Sequence, residues 1–343
     1  MRGIRKGFSW LFGGMLLIAC CVGCGKEKES GTPVAKLGEE TIYLKEAVFY
    51  TRMLQEQWEI AYYDSYGADM WQCEPEFGEG DGRANTLEEA LKLEVMDTLT
   101  EIHLLCAHTE ECGAELTKEE RTVVSDRAKA FIKSNTPAVL DAAGATKETV
   151  EQFLLYNEQA AKTAEILKEE YEPEINEEEA RVGKLTYCLF ATTGTFDAQG
   201  NQTPFTEDEL VKVKEDAGKF ALRARETGDI VAAGDEISHT VIDVYFNDYT
   251  DGGAHELVAQ AAREMEVGGV SDVIETQEGY YIVQRISEYD EEATREREEE
   301  LKYFAREDYL TKLLEKWEEE TPLEIMDEVW ETVRIDTLLT REE

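Results

Sequence analysis

Residue types able to do chemistry are thinly scattered in this chain, and few are spaced to act together. His103, Cys106, His108 and Cys112 cluster, but their intervals match no closed zinc pattern. They read as buried thiols and ordinary helix histidines, and no metal or other cofactor is expected. Cys106 and Cys112 are also placed to close a local loop near a helix end, if the compartment permits disulfides. The first half holds no nucleophile beside a base and no glycine-rich phosphate loop, so nothing there looks catalytic.

The elements of the second half follow from its patterning. Leu185 to Ala191 reads as a buried strand. Val270 to Glu275 and Tyr280 to Ile286 flank a Thr-Gln-Glu-Gly link whose Gly279 can take positive φ, so a hairpin is expected. Between them lie a helix opened by the Thr206-Glu-Asp-Glu209 capping box, a short helix over 229–234, an Asp- and Tyr-rich segment over 241–253, and a helix over 254–265. Strand, long helix, short helix, loop, helix and hairpin make an α+β arrangement in which helices cover an antiparallel sheet.

Upstream, Val34–Leu37 and Thr41–Tyr43 form a small hairpin before a run of helices. The first spans about 45–62; later ones open at the Thr86/Glu89 and Thr117/Glu120 capping boxes and at Thr146. Residues 64 to 85 are loop-like, with Trp71 and Phe77 packing down. The acidic, proline-bearing stretch around Pro173 marks a boundary near residue 180. A charged helix over about 291–319 keeps Leu301, Phe304, Leu310, Leu313, Leu314 and Trp317 in register, and Val329, Trp330 and Val333 follow. That tail is too apolar on one side to stand alone. The expected organisation is a helical domain over 33–180, an inserted domain over 181–288, and a segment over 289–343 that packs back on the first.

Arg2, Arg5 and Lys6 precede an apolar run from Phe8 to Gly23, which turns polar at Lys26. The run is too short and too glycine-broken for a spanning helix, which needs ~20 apolar residues. With Cys20, Cys21 and Cys24 at its end it resembles a bacterial lipoprotein signal over 1–23, with a polar tether over 24–32. Cys24 is the preferred lipid acceptor and Cys20 the alternative. The mature chain is then expected outside the cytoplasm, anchored to the bacterial cell membrane. The 343 residues carry 35 basic against 76 acidic side chains, a net charge of -41. Nucleic acid is excluded as a partner, because phosphate binding needs clustered Lys and Arg. A solvated, self-repelling surface fits this balance, with the acid runs read as exposed helix faces and tethers; the alternative reading is attraction for basic, unfolded polypeptides.

Gly-Val-Ser after the 254–265 helix, and Glu-Thr-Gln-x-Gly-Tyr-x-Ile-Val in the hairpin, resemble the C-terminal half of a parvulin-type peptidyl-prolyl isomerase domain. With the helical body and returning tail, the chain resembles the PrsA and SurA kind of extracytoplasmic foldase, most sharply over 254–286. The resemblance implies a membrane-tethered peptidyl-prolyl cis-trans isomerase acting on newly exported polypeptides. The family's two facing pocket histidines correspond here to Tyr187 and Tyr281, and both histidines are absent. Phe246 and Leu257 are expected to line the cleft with them. The alternative is a non-catalytic holdase whose parvulin-like module is structural. A solute-binding fold is disfavoured, because repeated βα units are missing.

Overall fold

The structure, a computed structural model, describes residues 31–76, 82–196, 202–335 and 337–339. Cys20, Cys24 and the rest of the expected signal segment, and Phe77, lie outside the described residues. The architecture is α+β, and the chain divides into two compact units: one runs up to Tyr171 and resumes from Arg306, and the other is Glu172–Ala305.

The first unit opens with β1 (Pro33–Leu37) and β2 (Glu40–Tyr43), then α1 (Leu44–Tyr66), a short 3₁₀ turn, α2 (Leu87–Ala107), α3 (Lys118–Ser134), α4 (Pro137–Ala142) and α5 (Lys147–Glu170). Thr117 and Glu120 form the reciprocal capping box of α3. At α2 the reciprocity shifts by one residue: Thr86 accepts from Glu89 N, whereas the Glu89 carboxylate accepts from Asn85 N at 2.7 Å. Apolar faces explain the helix packing. Trp58 stacks on the buried Trp71 at 6.3 Å, and Phe49 meets Phe131 and Phe153 edge-on at 5.8 and 5.2 Å.

The second unit contains α6 (Glu177–Ala180), β3 (Gly183–Ala191), the short pair β4 (Thr195–Phe196) and β5 (Gln202–Thr203), α7 (Glu207–Thr227), α8 (Ile230–Glu236), β6 (Val241–Phe246), α9 (Glu256–Glu264), β7 (Ile274–Glu275) and β8 (Gly279–Ser287). Its antiparallel sheet has the order β6-β3-β8-β7. The segment over 241–253, read as a loop, therefore contains an edge strand. Asp243 falls between Ile242 and Val244, on the opposite face of the strand, and its carboxylate meets Lys184 and Thr186 at 2.6 Å each. The first arm of the expected hairpin is shorter than its β-favouring run. Only Ile274–Glu275 forms a strand, and Val270 makes an isolated bridge to Gln284.

α10 (Glu291–Glu320) leads back into the first unit, followed by β9 (Leu323–Ile325) and α11 (Asp327–Trp330). β9 pairs antiparallel with β1, Leu37 opposite Leu323. Leu310 and Leu314 are buried against Ile102, Leu105, Ala160 and Ala164, and Trp330, Val333 and Ile335 join the core of α1 and α2. Lys92 sits over the Trp330 ring at 5.1 Å, and Glu88 accepts from Ile335 N at 3.0 Å. Phe304 departs from the expected stripe: it is 57% exposed, beside an equally exposed Tyr303.

Candidate functional site

β3 is the central strand, and its alternation sends side chains to two differently covered faces. Cys188 and Phe190, with Ile282 of β8, pack under α7 and α8 against Phe220, Ala221, Ala224 and Ile230. Leu185, with Val244, Phe246 and Val283, packs under α9 against Val258 and Ala262. Tyr187, Leu189 and Tyr281 share this second face, further along β3 from the α9-covered end.

In the register Tyr187 lies opposite Val283 on one side and Ile242 on the other, while Tyr281 lies opposite Leu189. The two tyrosines are thus diagonal neighbours, with ring centroids 5.4 Å apart and planes tilted by 58°. Tyr281 is 4% exposed and Tyr187 half-buried. The Tyr281 hydroxyl donates to Glu278 Oε2 at 2.5 Å. Burial first, and then the Glu278 carboxylate, push that hydroxyl well above the usual phenol range, so it stays protonated. The Tyr187 hydroxyl has no hydrogen-bond partner among the described residues.

The turn that places Glu278 is locally encoded. Thr276 Oγ1 accepts the amides of Glu278 and Gly279 at 3.2 and 3.3 Å, and Thr276 N donates to Gly279 O at 2.9 Å. Gly279 has φ +152°, and a Cβ there would stand 2.2 Å from Phe190 O, so only glycine lets β8 approach β3 at this point. On the far side, Gln284 ties β8 to the α7–α8 junction, accepting Ile230 N at 2.9 Å and donating to Gly228 O at 2.8 Å. The loop entering α9 is anchored by Arg263, which binds Asp251 and donates to Asn247 O at 2.9 Å.

Of the four residues expected at the site, the structure brings together Tyr187 and Tyr281. Phe246 is 3% exposed and lies opposite Gly183, four register positions from Ile242, within the core under α9. Leu257 is 43% exposed on the first turn of α9. Three neighbours went unrecognised in the sequence. Ile242, 43% exposed and paired with Tyr187, was hidden with its strand. Glu278 lay in a turn read only for its glycine. His255, whose ring centroid is 5.8 Å from Tyr281, is the N-cap of α9; a histidine just before a helical period was the available signal.

The arrangement offers hydroxyls, a carboxylate and an imidazole beside an apolar shelf, and no activated nucleophile. Cys188 faces the opposite side, and burial pushes its thiol up to about 12. The local loop between Cys106 and Cys112 is not closed: all four described cysteines are free, and Cys106 Sγ is directed to Tyr156 O at 3.4 Å. Among the described residues no three His, Cys, Asp or Glu side chains are grouped to hold a metal, and no helix is long and apolar enough to cross a membrane.

No protein-family model matches the chain, and no curated protein does. Solved structures similar to it include the foldase protein PrsA from Streptococcus pneumoniae, with 18% identity over 88% of this chain and 98% of that one and a TM-score of 0.33. The peptidylprolyl isomerase PrsA from Bacillus anthracis matches with 17% identity over 65% of this chain and 96% of its own, TM-score 0.27. A SurA-like chaperone from Campylobacter jejuni matches with 10% identity over 86% and 99%, TM-score 0.28.

Proposed function

We propose that this chain is a membrane-tethered extracytoplasmic foldase whose second unit catalyses prolyl cis-trans isomerisation in exported, unfolded polypeptides. The observation that carries this reading is the Tyr187–Tyr281 pair beside the part-exposed Ile242, on a parvulin-like order of elements. Isomerisation needs no covalent step. The amide barrier of ~18–20 kcal/mol falls if a site binds the twisted amide better than the planar one. An apolar shelf formed by Leu189, Ile242 and the tyrosine rings strips water from the prolyl bond. Tyr187 supplies an uncommitted O–H donor to the twisted amide. Tyr281, its proton held by Glu278, presents its oxygen as an acceptor in a fixed direction. Phe246 stays in the core under α9, and Leu257 stands on the first turn of that helix, so neither is assigned a part in the shelf.

A holding role without turnover is favoured by one observation: the Tyr281 hydroxyl already donates to Glu278, leaving one free donor in the pair. Two assays on the same preparation separate the readings. Turnover of a prolyl tetrapeptide that falls in Tyr187→Phe supports isomerase action. Suppression of client aggregation with no turnover supports holding alone, and absence of both removes the foldase reading.

The tether belongs to the same reading, with Cys24, or else Cys20, carrying the lipid and the inserted module of residues 181–288 held outside the cytoplasm by the helical domain. Mass spectrometry of the membrane fraction tests it. An acylated cysteine as residue one is expected, and a mature protein starting elsewhere with no acyl mass contradicts it.

A further inference from the structure

Both strand positions that carry histidine in the resembled family carry tyrosine here, yet an imidazole reaches the same ring pair from a different element. His255 caps α9, its Nδ1 accepting the Leu257 N–H at 3.2 Å, and its ring centroid lies 5.8 Å from that of Tyr281 with the planes at 41°. A backbone N–H can only donate, so Nδ1 must offer its lone pair, and in the neutral ring the proton sits on Nε2. The helix end therefore fixes the tautomer. Nε2 has no hydrogen-bond partner among the described residues.

The chain's other three histidines are all committed elsewhere. His103 is buried against Glu46 at 3.2 Å, His108 is stacked on Trp317 at 3.7 Å, and His239 donates from Nε2 to Leu189 O at 2.9 Å while stacking on Phe190. Only His255 combines a free N–H with contact to the tyrosine pair.

We infer that His255 is a second hydrogen-bond donor of the prolyl site, offering Nε2–H to the prolyl nitrogen of the twisting amide in an extended client. The inference rests on the isomerase reading above. As the amide twists, its nitrogen loses conjugation and pyramidalises, so its lone pair becomes an acceptor that the planar amide lacks, and a donor fixed by the end of α9 meets it without reorganising. The acceptor is then a main-chain nitrogen, so the site favours extended prolyl segments irrespective of the preceding side chain.

The test uses the full chain and a prolyl tetrapeptide. His255→Asn keeps an oxygen that can cap α9 but removes the ring, whereas His255→Ala removes both. With a single donor lost, His255→Asn should lower kcat/KM about three- to tenfold, mainly through kcat, with an unchanged melting temperature. His255→Ala should show the same loss with a slightly lower melting temperature. Nitrogen NMR of the ring should report the Nε2–H tautomer, and an Nδ1–H tautomer would overturn the inference. If Tyr187→Phe loses turnover while His255→Asn does not, the isomerase reading stands and His255 is misplaced. If the unmodified chain shows no turnover, that reading fails; His255 is then judged by titration with the tetrapeptide, a shift of the Nε2 resonance supporting its place in the site and an unmoved resonance overturning it.

Discussion

Replacing Gly279 by alanine probes the junction that sets Tyr281 against Tyr187. The added Cβ would stand 2.2 Å from Phe190 O, 2.9 Å from Ala191 Cα and 3.0 Å from Phe190 C, all backbone atoms that no rotamer change can move. Ordinary contact requires about 1 Å more separation, so β8 must draw away from β3 at its first residue. The positive φ adds about 1–3 kcal/mol for an L residue. Opening the ladder beside the turn forfeits one or two hydrogen bonds at about 1 kcal/mol each. The sum is about 2–5 kcal/mol, or protection lowered roughly thirtyfold or more in native-state hydrogen exchange of the β3 and β8 amides. Hydrogen exchange is preferred to a bulk melt because two units need not unfold together. Gly218, inside α7, is the internal control: a Cβ there meets nothing within 4 Å, so alanine should stabilise by about 0.5–1 kcal/mol. Retention of β8 protection within about twofold in Gly279→Ala would refute the packing argument.

Further outcomes follow from burial and charge. Burial pushes both Cys106 and Cys188 up to about 12, so a maleimide at pH 8 should leave them unmodified in the folded chain and label them once denaturant is added. Tyr281 is held above its ordinary value of about 10 by burial and by Glu278, so its contribution to stability is complete below pH 10 and is lost as pH rises through the folded value. Tyr281→Phe should therefore flatten the alkaline limb of a stability-against-pH curve, and an unchanged limb would contradict the assignment. Trp330→Ala removes a buried ring packed in the core of α1 and α2 and should cost about 3–5 kcal/mol in the first unit. A loss under about 1 kcal/mol in denaturant unfolding would count against the returning tail as core.

Where an element is marked by its own local chemistry, the sequence was readable. The capping boxes at Thr117/Glu120 and Thr206/Glu209 and the Gly228 stop each appear where the residues place them, because the signal and the structure lie within one helical turn. β6 was missed although Ile242, Val244 and Phe246 alternate, because the segment was read from its Asp and Tyr content, and the Lys184 and Thr186 that answer Asp243 are distant in the chain. Phe304 fits a helical stripe by spacing, yet is exposed, since spacing alone does not say what the stripe meets. Tyr187 and Tyr281 were singled out by the family resemblance and not by their own spacing, whereas Ile242 and His255 become neighbours only through β3–β6 pairing and the docking of α9.

The most direct test is exchange spectroscopy on a prolyl tetrapeptide with catalytic amounts of the full chain, comparing the unmodified protein with Tyr187→Phe plus Tyr281→Phe. The double change removes two hydroxyls and keeps ring volume, so β3 and β8 should hold their protection. The account predicts measurable acceleration of cis-trans exchange by the unmodified protein and about tenfold less or lower by the variant, the order expected for losing one or two hydrogen bonds to the twisted amide. Equal acceleration by both proteins would contradict it, and so would none from the unmodified chain.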